Sequence, residues 1–148
     1  MKTEPLTLRR TLALEIARHI ENKRVKEHPL RQLFWECTLR CNLNCRHCGS
    51  DCKKTAHTPD MPKEDFLRVL DSVAAKTDPH KVFVVVTGGE PLMRSDLEEC
   101  GRAIYERGFP WGMVTNGLFL TRERLDALMA AGLHTATVSL DGFATDHN

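Results

Sequence analysis

Cys41-Asn42-Leu43-Asn44-Cys45-Arg46-His47-Cys48 places three thiols at positions i, i+4 and i+7, just after Leu33-Phe34-Trp35-Glu36-Cys37, a short apolar run that reads as a strand. Three thiolates can hold three corners of a [4Fe–4S] cube and leave the fourth iron without a protein ligand. Zinc is the alternative. A structural zinc site closes with four ligands, and His47, His57 or Cys52 could supply the fourth. Zinc sites more often pair two C-x2-C knuckles, and only Cys45 and Cys48 form one here, so the spacing favours the cluster and leaves zinc open. Cys52 has no partner spacing and reads as a spare thiol. Cys37, inside the strand, and Cys100, on an apolar helix face, read as core residues.

Working back towards the N-terminus, Leu8, Leu12, Ile16 and Ile20 recur every fourth residue with charged residues elsewhere. This predicts an amphipathic helix over about residues 7–25, with Thr7 as N-cap and His28-Pro29 as its break. It reads as a segment of its own, residues 1–30, ahead of a domain over 31–148. The formal net charge is only +1, and the surplus of base falls in the first 60 residues. That pattern reads as a solvated helix face and gives no nucleic-acid footprint. No apolar run approaches the length of a membrane span, and no apolar h-region follows Met1–Arg10. The expectation is a cytoplasmic chain, in which clustered cysteines mean metal or redox chemistry and not disulfides.

Working forward, helix and strand patterns alternate. Pro62 suits the first turn of a helix carrying Phe66, Leu67, Leu70, Val73 and Ala74. Lys81–Val86 reads as a strand buried on both faces. Ser95 to Glu98 has capping-box form and opens a helix that Gly108 closes. Trp111–Thr115 is a third strand. Thr121 caps a helix that Gly132 stops, and Thr135–Leu140 is a fourth strand. Strand spacings of about 25–30 residues suit right-handed βαβ crossovers and a parallel sheet. Each polar or Gly-rich stretch then falls at a strand's C-terminal end, the edge where parallel α/β sheets and barrels bind ligands.

Singly, these stretches are weak signals. Gly88-Gly89-Glu90-Pro91 could let backbone approach a ligand, with Glu90 accepting from an ammonium group, or could be an ordinary βα turn. Asn116-Gly117 and Asp141-Gly142 are common turn pairs, and Ser139 is a lone hydroxyl.

Together, C-x3-C-x2-C after the first strand, Gly-Gly-Glu-Pro after the second, Thr115-Asn116-Gly117 after the third and Ser139-Leu140-Asp141-Gly142 at the fourth resemble the radical SAM superfamily. They occur in that family's order, over about Arg31 to Gly142. The resemblance is to the branch with molybdenum-cofactor, PqqE-like and sulfatase-maturating enzymes. It implies that Cys41, Cys45 and Cys48 ligate a [4Fe–4S] cluster whose fourth iron is chelated by S-adenosylmethionine. His47 would lie near adenine and cluster, and Gly88, Gly89 and Glu90 would line the amino-group side of the methionine moiety. Ser139 would contact the bound cofactor, with Asn116 and Asp141 beside it. It further implies a flavodoxin- or ferredoxin-like electron donor, reductive cleavage to a 5′-deoxyadenosyl radical, and hydrogen abstraction from a substrate such as a peptide or cofactor precursor. The implied fold is α/β, the first part of a partial (β/α)6 barrel. Four strands are present, so residues 31–148 read as a C-terminally truncated core. The competing expectation is a non-catalytic metal-binding or redox module on a βα scaffold.

Overall fold

A computed structural model of the chain describes residues 7–50 and 52–140. The backbone divides into two units, residues 1–30 and 31–148. In the first, α1 (Leu8–Glu27) is a single helix. The Thr7 carbonyl accepts the Thr11 N–H, but its side chain caps nothing at the helix N-terminus. His28 adopts the left-handed conformation (φ 47°) and donates its N–H to Arg24 O, closing the helix just before Pro29. The helix is less amphipathic than its four-residue stripe implies. Leu14 and Val25 project from other faces, and no residue of α1 is buried.

The second unit runs β1 (Gln32–Glu36), α2 (Lys63–Ala74), β2 (Phe83–Thr87), α3 (Leu97–Glu106), β3 (Trp111–Thr115), α4 (Arg122–Ala130) and β4 (Leu133–Val138). The strands form one sheet in the order β1-β2-β3-β4, and every neighbouring pair is parallel. Trp35 pairs with Val86 and Val86 with Met113, so one row of side chains crosses the sheet and is buried along its length. Phe66 and Leu70 of α2, Leu97, Cys100 and Ile104 of α3 and Leu128 of α4 complete that core. Trp35 stacks flat on Phe66, with ring centroids 4.1 Å apart. Cys37 and Cys100 are buried as expected.

Three local expectations change. β2 is not buried on both faces: Val84 and Val86 are enclosed, while Phe83 and Val85 are half-buried. The helices' apolar side chains pack with the first pair alone. Ser95 does not cap α3. Asp96 stands at the N-cap, and its carboxylate is taken by the Arg94 guanidinium instead of by helix N–H groups. Pro62 lies one residue before α2, where its carbonyl accepts the Asp65 N–H. Thr121 does cap α4, accepting the Arg124 N–H at 3.2 Å. No helix among the described residues is long and apolar enough to cross a membrane.

Candidate functional site

Parallel strands bring all four C-terminal ends to one edge, and the backbone there extends the ladder past the strands. Cys37 N–H donates to Thr87 O, Gly89 N–H to Thr38 O and Glu90 N–H to Arg40 O, at 2.7–2.8 Å. The Gly-Gly-Glu stretch thus runs alongside the chain that enters the cysteine loop. This close approach explains the glycines. A Cβ at Gly88 would lie 2.3 Å from Thr38 O, and one at Gly89 would lie 2.3 Å from Arg40 O. Gly88 also holds a φ of +138° that side chains rarely adopt.

Above this seam one pocket is lined by Cys41, Cys45, His47 and Cys48 from the loop, by Thr87 at the end of β2 with Gly88 and Gly89 after it, by Thr115 at the end of β3 with Asn116 after it, and by Ser139 after β4. Most of the expected site residues therefore meet in one place. Asp141 lies outside the described residues. Among the described residues no three His, Cys, Asp or Glu side chains are already drawn to ion-ligating distance. The donors share a pocket without a preformed cage.

The Cys41 sulfur has two nitrogen donors near it. The Leu43 N–H donates to it at 3.4 Å, and the Asn116 side-chain amide approaches at 3.9 Å. The same amide donates to Asn42 Oδ1 at 2.7 Å, tying the end of β3 to the loop.

Glu90 has a task within the protein itself. It is fully buried, does not line the pocket, and accepts from Leu92 N–H (3.0 Å), the Thr115 hydroxyl (2.7 Å) and Asn116 N–H (2.7 Å). Its carboxylate pins the end of β2 to the end of β3, and through Asn116 to the cysteine loop. Beneath the loop, Asp60 accepts from Thr38 and Arg40. Burial would raise the Asp60 carboxyl, but these hydrogen bonds outweigh it and hold it below its ordinary value. Sequence reasoning missed Arg94, which is buried and donates to Cys37 O and Met61 O. Its one signal was an arginine beside the apolar Pro91-Leu92-Met93 turn. It also missed the position of Cys52, which lines the same pocket and is only 5% exposed. Burial pushes that thiol up to about 11.

A family model described as the Radical SAM superfamily matches residues 35–148. The chain belongs to the radical SAM superfamily. It is 35% identical over 112 residues to an AdoMet-dependent heme synthase of Methanosarcina barkeri, a match covering 76% of this chain and 31% of that protein. It is also 35% identical over 111 residues to a PqqA peptide cyclase of Ruegeria pomeroyi, covering 75% and 29%. The chain thus spans under a third of the length of these relatives. Among solved structures, BtrN in complex with AdoMet and 2-DOIA superposes with a TM-score of 0.61 at 23% identity, covering 74% of this chain and 45% of BtrN. Streptococcus suis SuiB bound to its precursor peptide SuiA gives 0.56 at 20%, covering 86% and 28%. At these identities the likeness is one of fold: four parallel strands with helices, as in radical SAM partial barrels. The superfamily's cofactors are a [4Fe–4S] cluster and S-adenosylmethionine, and the donor set fits them. Four thiols, those of Cys41, Cys45, Cys48 and Cys52, line the pocket, N–H groups approach Cys41, and no Asp or Glu among the described residues lines it.

Proposed function

We propose that the chain is the N-terminal catalytic portion of a radical SAM enzyme, with a core over residues 31–148 and a helical segment over 1–30. The observation that carries this is the meeting of three thiols, the two glycines after β2, Asn116 and Ser139 in one pocket at the C-terminal edge of a parallel sheet. Cys41, Cys45 and Cys48 would hold the cluster, and the backbone of Gly88 and Gly89 would lie along the methionine moiety. Ser139 would face the bound cofactor, and His47 would flank the adenine. Asp141 follows β4 in the family pattern and joins the site on that ground alone. Asn116 steadies Cys41, and Glu90 steadies Asn116. When bound, the cluster and S-adenosylmethionine supply reductive cleavage of the sulfonium, after one electron from a flavodoxin- or ferredoxin-like donor, to a radical that removes a substrate hydrogen. The protein's part is to hold three thiolates, leave the fourth metal position accessible to S-adenosylmethionine and exclude water. The proposed substrate is a peptide or a cofactor precursor. Relatives named as a PqqA peptide cyclase and a heme synthase support both classes.

Anaerobic reconstitution tests the reading. Iron and sulfide of about four each per chain are expected, with deoxyadenosine formed after dithionite and S-adenosylmethionine are added. Cys45→Ala should abolish cluster uptake, and Cys100→Ala should leave it intact. Loss in both variants would mean that the ligands are misassigned. Cys52 favours one competing reading, a closed four-thiolate zinc site without catalysis. Tight zinc with no sulfide would establish it.

A further inference from the structure

Cys52 is a pocket thiol with no task in the proposed function. Cys37 and Cys100 are buried within the hydrophobic core, as free cysteines commonly are. Cys52 is also buried, at 5% exposure, but lies outside that core, lining the pocket with Cys41, Cys45 and Cys48. It shares a hydrogen bond with Cys48. Its remaining contact, Ser50 O at 3.7 Å, is weak. Backbone builds its position. Arg40 and Lys53 form a parallel bridge, and Lys53 O accepts the Cys41 N–H at 2.8 Å. The residue after Cys52 is therefore fastened to the residue that opens the motif.

We propose that Cys52 is a fourth, exchangeable thiolate ligand of the cluster. It occupies the open iron while S-adenosylmethionine is away and yields that position to the methionine amino and carboxylate groups. This rests on the function proposed above. The exchange is balanced without electron transfer: the thiol loses a proton on ligating and regains one when displaced. Its benefit is protective. An iron without a protein ligand is the corner most easily lost, and a thiolate is the ligand such clusters ordinarily carry.

The test compares wild type, Cys52→Ala and Cys52→Val, each reconstituted anaerobically, freed of S-adenosylmethionine and challenged with ferricyanide. Iron content and the electron paramagnetic resonance signal of a three-iron cluster are followed. Wild type should keep its iron, whereas Cys52→Ala should lose about one iron in four and gain the three-iron signal. S-adenosylmethionine added before the challenge should abolish the difference. Should Cys52→Ala fail to fold, Cys52→Val carries the same comparison with a side chain that fills the space and has no donor atom. Equal iron loss from loaded wild type and variant overturns the role of Cys52 alone. A folded Cys52→Ala that takes up no cluster also overturns it, since the ligand would then be obligatory. A wild-type chain that takes up no sulfide overturns the cluster reading as well.

Discussion

Glu90 is a buried carboxylate with three protein donors and no exposed surface. Because all three donors converge on one charged group, Glu90→Gln must turn an amide N–H₂ towards at least one of them. The expected loss is about 1.5–3 kcal/mol, the scale of a hydrogen bond to a charged group, seen as a lower denaturant midpoint with an unchanged slope. Cluster uptake should survive, since no thiol is touched. A variant as stable as wild type that no longer binds S-adenosylmethionine would put Glu90 in contact with the ligand and end the structural reading. The cysteine motif could be read by eye because its ligands lie within eight residues. The role of Glu90 could not, because Thr115 and Asn116 are 25 and 26 residues away. Their proximity depends on the pairing of β2 with β3, which local pattern does not specify.

Arg94 does at the element scale what Glu90 does between two strand ends. Its guanidinium donates to Cys37 O after β1, to Met61 O before α2 and to both oxygens of Asp96 ahead of α3, and it lies 5.1 Å from the centre of the Trp35 ring. The Arg94 hydrogen bonds hold the Asp96 carboxyl below its ordinary value of 3.8, against an opposing push from burial. The unfolded chain therefore takes up this proton at higher pH than the folded one. The pair's stabilisation is complete above the ordinary carboxylate range and drains away as pH falls through the folded-state value. Asp96→Asn should be less stable than wild type at neutral pH and less sensitive to acid, so the two melting profiles should converge as pH falls. Parallel profiles would show that the pair is not the source. The chain's strands were readable as short apolar or β-branched runs, the first leading into the cysteine motif and the other three into turns with Gly, Asn or Asp. The start of α3 was not. A capping box describes backbone donors, and here a buried arginine outcompetes them for the carboxylate.

For the whole molecule, parallel order followed from the spacing of the strands, and the shared edge of the motifs followed from parallel order. The same inference could not say which sheet face the helices cover, because four successive apolar residues in β2 fit one covered face or two. Helix α1 is the part for which sequence periodicity said least. Within its own unit this 20-residue helix carries the exposed pairs Arg18–Glu15, Arg24–Glu21 and Lys23–Glu27, and such pairs contribute only a few tenths of a kcal/mol each. An isolated helix of that length is marginal in water. If residues 1–30 and 31–148 are separate in stability as well as in backbone, a chain beginning at Arg31 should retain the wild-type denaturant midpoint and iron and sulfide content, while losing helical ellipticity in proportion to α1. Arg31 must be kept, because its carbonyl accepts the Phe83 N–H at 2.8 Å and so starts the pairing of β1 with β2. High salt should weaken the helical signal of the full chain before it weakens the sheet unit. A midpoint that falls on removing residues 1–30 would make the helix part of the core's stability and remove the boundary at Leu30.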